Sequence, residues 1–319
     1  MEEGGHYYTV YTVSLAVGFA NHVARRHAFF AQMPDEVDQL DAAHLEMTFA
    51  SRYGVGRVGM IEHSAGVPAE PPVYMRENEW RVMVEHALHS LTGRNAREEQ
   101  RRTRELLRGT RVNDYLRFGL LLHRFGDTYA HTRISNPEFL YYADPRFPID
   151  PGGHGHAMDE HHPDHPWERE DLMNSYVSGL YELMAELARM PANAPYLRRP
   201  PEVRSLAEVR NIFATAIQEA HRYFELRDES CTWTRPAPPG RLCTYDENTG
   251  PQRYFINSIR DQVRWRINVI MATYEPENSE LLNWTQFRSR YGRSSGPVEN
   301  YSWNDVESAI YQIRRDLNL

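Results

Sequence analysis

The sequence predicts an all-α protein, on three observations. Apolar residues recur at helical spacing through most of the chain, runs of alternating apolar and polar residues are absent, and no strand–helix–strand rhythm appears. With 319 residues, 41% of them hydrophobic and 12% aromatic, the chain can bury a sizeable core. The expectation is one multi-helix domain over residues 1–319 with long functional loops. Residues 1–170 carry the motifs, and 171–319 form a helical part that can be set apart as a subdomain.

The elements follow in order. HYYTVYTVSLAVGF, from His6, reads as a buried helix stopped at Gly18, and NHVARRHAFFAQ restarts with Asn21 as its N-cap. ENEWRVMVEHALHSLTG sets Trp80, Val84, Ala87 and Leu91 on one stripe and predicts a stop at Gly93. NAREEQRRTRELLRG is polar enough for a surface helix, whereas residues 111–132 form a strongly apolar one. Further helices are predicted at about 168–190, 203–227, 252–274 and 303–317. Loops are expected at 54–76, 133–167 and 228–251; a connection of about thirty-five residues exceeds the usual handful, and such loops carry function. The last loop holds Cys231 and Cys243, whose spacing matches no zinc motif and leaves a small disulfide or two free thiols open.

Composition narrows the partners. A net charge of −8 argues against a protein that coats nucleic acid with cations. No apolar run approaches the ~20 residues of a membrane span, and MEEGG has the wrong charge for a secretory leader. A cytoplasmic protein, or one exported without a cleaved signal, is expected. All 36 basic residues are arginine. Codon bias explains an absence of lysine, and so does selection in a toxin or effector that must escape ubiquitin tagging in a host cell.

Two histidine-rich stretches carry the chemistry. LLHRFGDTYAHTRI places His123, Asp127 and His131 at steps of four, so each advances only about 40° around a helix. Neighbours so spaced can close on one metal ion, and a central carboxylate can bridge two. Burying them unpartnered in an apolar helix would be expensive; the alternative is a hydrogen-bonded His–Asp–His chain between helices. GGHGHAMDEHHPDHPW then packs five of fifteen histidines into twelve positions, in a loop broken by glycine and proline. Its candidate ligands are His156 with Asp159, Glu160 or His161. His6 and the acids Asp35, Glu36 and Asp38 add to the set, with His63 as a further candidate. His22, His27, His44, His86, His89 and His221 read as ordinary core or surface residues. Imidazoles and carboxylates without thiolate suit zinc, iron or manganese.

The order of these motifs resembles the zinc-dependent phospholipase C superfamily, whose relatives include the single-strand-specific zinc nucleases. The resemblance is carried by HYY, LHRFGDTYAH and GHAMDEHHPD, and is tightest to a bacterial branch with HYY, LHRxxDTxAH and GHA…HxPD motifs. It covers about the first 170 residues and implies an all-α fold with two or three zinc ions in one cleft. By that likeness His6 and Asp35 are first ligands, His123 and Asp127 share an ion group with Asp127 bridging, and His131 and His156 hold the remaining ion. Glu160 fits the spacing of the phospholipases and His161 that of the bacterial branch. This chain departs from the phospholipases in having three residues, not five, between Asp127 and His131, and in lacking their N-terminal Trp ligand.

The expected function is a metal-dependent hydrolase of a phosphoester, with water activated between clustered ions. Asp35, Asp127 and Arg124 are its candidate catalytic residues. Arg124 and Arg133 flank the motif and can meet a phosphate bidentately, although such arginines also serve in structural ion pairs. A small phosphoester or a lipid fits the charge better than nucleic acid. Two alternatives stand beside it. One is a non-haem di-iron oxidative enzyme built on Glu62, Glu85 with His89, and Asp127 with His131. The other is a non-catalytic interaction protein or host-directed effector.

Overall fold

The computed structural model describes residues 4–37, 40–42, 45, 73–143, 164–199, 202–228, 242–243, 250–269 and 301–319. His44, Glu62, His63, His156, Asp159, Glu160, His161 and Cys231 lie outside the described residues, as does Asp38. Among those described, regular structure is helical except for strands Arg227–Asp228 (β1) and Leu242–Cys243 (β2), paired in parallel. No described helix is long and apolar enough to cross a membrane. The chain divides into two compact units, residues 1–25 with 165–273, and residues 26–164 with 274–319. The first helix therefore groups with the residues after 165, a division that sequence composition does not mark.

In the first unit a π-helical turn, Gly4–Tyr8, runs straight into α1 (Thr9–Ala16), every residue of which is buried. The expected stop at Gly18 is met by a positive φ of 104°, a conformation glycine adopts without strain. The last carbonyls of α1 find donors elsewhere, the Arg204 N–H reaching Ala16 O at 2.7 Å and the Arg198 guanidinium reaching Leu15 O at 2.8 Å. Helix α2 (Asn21–Glu36) begins at Asn21 itself, whose side-chain oxygen accepts from the Tyr11 hydroxyl.

The second unit takes α2 from Arg26 onward, with α3 (Val73–Ala87), α4 (Ala96–Gly109) and α5 (Tyr115–Ala130). The first unit continues with α6 (Glu170–Arg189), α7 (Leu206–Leu226) and α8 (Pro251–Gln262); α9 (Trp303–Asp316) returns to the second. Asn21, the expected N-cap of α2, is instead its first residue, whereas side chains cap α4 and α9. Asn95 accepts from the Glu98 N–H at 3.1 Å to start α4, and Ser302 with Asp305 forms a capping box on α9.

Helix α5 is buried on every side, from Leu116 to Ala130 but for Arg117, as a helix apolar all round should be. Helix α2 crosses it closely at Gly119. A Cβ at Gly119 would lie 2.8 Å from the Phe30 carbonyl carbon and 2.9 Å from Phe30 Cα, so only a residue without a side chain permits the crossing. Pro34 lies inside α2 and has no N–H for the Phe30 carbonyl. The α2 ladder is thus interrupted at the turn against which Gly119 packs. The helix continues through Pro34 to Glu36, which carries Asp35 on its last turn.

Helix α3 ends at Ala87, well before the predicted stop at Gly93. Ser90 then adopts a positive φ of 58°, and residues 91–94 run antiparallel beside 140–143. Gly93 N–H donates to Tyr141 O at 2.9 Å and Ala143 N–H to Leu91 O at 3.0 Å. The polar helix α4 buries one stripe, Ala96, Glu99, Thr103 and Leu107. A carboxylate in that stripe needs a cationic partner, and Arg124 supplies it.

Gly119→Ala should lower stability by about 2–3 kcal/mol, because backbone rather than a flexible side chain must move. Gly109→Ala, with nothing within 4 Å of its Cβ, should be neutral or stabilising. Urea midpoints check both; equal midpoints for the two variants would contradict the close crossing.

Candidate metal centre

Helix periodicity puts His123, Asp127 and His131 on one stripe of α5, and burial there leaves each less than a twentieth exposed. Every polar atom on the stripe therefore needs a partner. Each imidazole gives one ring nitrogen to a backbone carbonyl. His123 Nδ1 donates to Ala31 O at 2.8 Å, His131 Nδ1 to His89 O at 2.6 Å, and His89 Nε2 to Leu40 O at 2.7 Å. A carbonyl only accepts, so those nitrogens carry the hydrogens and fix each tautomer.

The other nitrogen of each ring faces carboxylate. His123 Nε2 lies 3.2 Å from Asp127 Oδ2 and 3.7 Å from Asp35 Oδ1. His89 Nδ1 lies 3.3 Å from Asp127 Oδ2 and 3.8 Å from Asp35 Oδ1. These two nitrogens are 3.2 Å apart. A point equidistant from Asp35 Oδ1, His89 Nδ1 and His123 Nε2 at these separations is about 2.1 Å from each, the length of a zinc–nitrogen or zinc–oxygen bond. A second pair adjoins it, His131 Nε2 lying 3.2 Å from Asp164 Oδ1. His131 Nδ1 is 3.7 Å from Asp127 Oδ2, so Asp127 stands between the two groups. Asp35, 24% exposed, and Asp164, 15% exposed, are the members that solvent reaches.

Electrostatics agree with a cation-seeking site. Burial, together with the Asp127 and Asp164 charges, raises the Asp35 carboxyl well above the usual carboxylate range, although His89 opposes the rise. Burial alone would depress His89, but the Asp127 carboxylate, with Asp35, outweighs it and lifts the imidazole to about 9. Burial wins at His123 and lowers it to about 4. Three acids thus meet one imidazolium and one neutral ring at their centre, a balance that a divalent ion would change in their favour.

The second unit therefore brings together Asp35, His123, Asp127 and His131 from the expected set. His6 is buried in the first unit's π-helical turn. Two members escaped sequence reasoning. His89 had been grouped with ordinary histidines, yet its ring sits at the centre and its carbonyl orients His131. Asp164 is the acid of the HHPD motif, downstream of the candidates His156, Asp159, Glu160 and His161. Arg124 is the correction. It is fully buried, its guanidinium pairs with Glu99 and donates to the carbonyls of His86 and Ala87 and to Thr103 Oγ1, and those bonds leave it no fork for a phosphate. Burial lowers it to about 10 against the pull of Glu99, so it stays charged at neutral pH. Arg133 Nε donates to Leu140 O at 3.0 Å. Glu85 takes both carboxylate oxygens to Arg81 Nη1 at 2.7 Å, a buried pair that occupies the acid needed for the di-iron reading.

Among the described residues of this unit, His86 and His27 are structural; His86 Nε2 donates to Ala143 O at 2.9 Å. His27 donates from Nε2 to Val112 O at 2.8 Å and packs 4.8 Å from the Phe118 ring. Burial lowers its value from 6.5 to about 4, against the opposing carbonyl bond. The folded ring stays neutral where the unfolded one charges, so stability falls with pH from about 6.5 down to 4. Its share is about 3 kcal/mol. His27→Gln keeps a donor without titrating and should lose about that much less between pH 7 and 4; parallel stability profiles would contradict the assignment.

Compared with family models, curated proteins and solved structures, the chain matches none.

Proposed function

We propose that the protein is a metal-dependent phosphoester hydrolase of the zinc-dependent phospholipase C kind. One observation carries the reading. His89 and His123 each commit one nitrogen to a carbonyl and turn the other, 3.2 Å from its counterpart, toward the carboxylates of Asp127 and Asp35. His89 keeps a proton there and His123 does not; a shared cation that displaces that proton would find two lone pairs beside two acids, and it is the chemistry that reconciles them.

Asp35, His89 and His123 would hold one ion with Asp127 beside it, and His131 Nε2 with Asp164 would offer two ligands to a second. The donor set, all imidazole and carboxylate, suits zinc and also admits iron or manganese. Bound there, such ions polarise a phosphoryl oxygen, lower the pKa of a shared water and stabilise the leaving oxygen. The chain's own part is positioning. Carbonyls of Ala31, Leu40 and His89 hold the rings, and Asp127 faces the free nitrogens of His89 and His123. Asp35 and Asp164, on the solvent side, are met first by an incoming substrate. The likeness of HYY, LHRFGDTYAH and GHAMDEHHPD to the superfamily motifs supports the same reaction class. The chain's net charge of −8 favours a small phosphoester or lipid over nucleic acid.

Elemental analysis of purified, zinc-reconstituted protein should find about two zinc ions per chain, and a chromogenic nitrophenyl phosphodiester should be hydrolysed. Asp127→Asn keeps the shape but not the charge; it should lose at least one ion and about 100-fold or more in rate, with the helical content retained. Fewer than one bound ion in the parent, or an Asp127→Asn protein that binds and turns over like the parent, would overturn the proposal. Tight iron with no hydrolysis would favour oxidative chemistry instead.

A further inference from the structure

We propose that Arg124, held by Glu99, is a positioning residue of the metal centre. It fixes the end of α3 and so determines where the His89 ring and the His89 carbonyl stand. The inference rests on the metal-centre reading above.

The argument starts from a helix end that runs out of donors. After the last ordinary bond, Leu88 N–H to Val84 O at 2.8 Å, the chain's N–H groups reach past the next carbonyls, His89 to Val84 O at 3.3 Å and Leu91 to Glu85 O at 3.0 Å. The carbonyls of His86 and Ala87 are then left to the Arg124 guanidinium, which donates to His86 O and, at 3.1 Å, to Ala87 O. Buried carbonyls at a helix C-terminus need such a donor, and a positive charge there also suits the helix dipole. A second clip runs the other way. Ser90, held at φ 58°, donates from Oγ to the Arg124 carbonyl at 3.2 Å. His89 lies between the two clips.

His89 serves the centre twice. Its Nδ1 faces Asp127 Oδ2 at 3.3 Å, and its carbonyl takes the His131 Nδ1 hydrogen at 2.6 Å. A shift of the α3 end would move one ligand and release the orientation of another. Arg124 is itself aimed from several sides. Thr103 Oγ1 accepts from its Nε at 3.2 Å, and the fully buried Glu99 pairs with its Nη2. Glu99 is steadied in turn by Arg102 at 2.9 Å and Arg94 at 3.5 Å; these also donate to Leu317 O and Asn318 O at the end of α9. A lysine offers one ammonium and no planar fork, so it cannot meet two carbonyls, a hydroxyl and a carboxylate in fixed directions.

The test measures zinc affinity by chelator competition and the visible spectrum of cobalt-substituted protein. The panel holds the parent, Arg124→Met, Arg124→Lys, and the double variant Arg124→Met with Glu99→Leu. Ile310→Ala, a cavity in α9, is a control for lost stability alone. The proposal expects zinc to bind about ten-fold or more weakly in both Met variants, with an altered cobalt spectrum and partial recovery with lysine. Ile310→Ala should match the parent in both readings. The double variant leaves no unpaired charge on the Arg124–Glu99 axis and so regains stability, but its zinc affinity should stay low; it also carries the test if Arg124→Met does not fold. Parent-like zinc affinity and cobalt spectrum in the Met variants would overturn the positioning role. A parent that takes up no metal would refute the metal reading instead. The role is then judged on exchange of the His131 Nδ1 hydrogen: faster in the double variant than in the parent supports it, and equal rates overturn it.

Discussion

A helix enclosed on all sides cannot carry two imidazoles and a carboxylate unless its surroundings answer each polar atom, and that demand organises the second unit around α5. Three carbonyls answer it, from Ala31, Leu40 and His89. Each must arrive at hydrogen-bond distance, and the fold provides for that by separate means. Gly119 lets α2 approach until its Ala31 carbonyl reaches His123. Pro34 interrupts the α2 ladder at that same turn. The early stop of α3 brings His89 round to face both His123 and His131. Remove the close crossing, and the first carbonyl no longer meets its ring.

The second demand is charge. Asp35, Asp127 and Asp164 converge where His89 is held protonated, while burial keeps His123 neutral. Arg124 lies next to this cluster in sequence, yet its charge is used against Glu99 and the α3 carbonyls rather than among the acids. The unit thus keeps the buried Arg124 out of the cluster and leaves the acids to a cation from outside. Separating structural charge from site charge in this way lets the same short stretch of α5 serve both purposes.

Helices were legible in the sequence because their signals are local. The apolar stripes, the Asn95 cap and the Ser302–Asp305 box all lie within a few residues of the boundaries they set. Ends imposed from a distance were not legible. Leu91 continues the α3 stripe on paper, but the turn at Ser90 and the guanidinium of Arg124 stop the helix at Ala87. Likewise α2 continues beyond NHVARRHAFFAQ and past Pro34 to place Asp35. The His123–Asp127–His131 row was readable from its spacing alone, whereas the acid at that spacing from His89, Glu85, pairs with Arg81, and His89 enters through the chain's turn after α3. Arg124 stands one position after His123, but a helical step of about 100° aims it elsewhere. Sequence adjacency says nothing of that direction.

Ring tautomers state the account in its simplest form, since everything proposed for the centre depends on which nitrogen of each histidine is free. A two-bond ¹⁵N–¹H correlation spectrum of the protein, recorded before and after addition of zinc, reads them directly. The account expects hydrogens on His123 Nδ1, His131 Nδ1 and His89 Nε2 in the zinc-loaded protein, with the opposite nitrogens of all three shifting as zinc is added. Reversed tautomers at His123 or His89, or ring signals that zinc leaves unmoved, would contradict it.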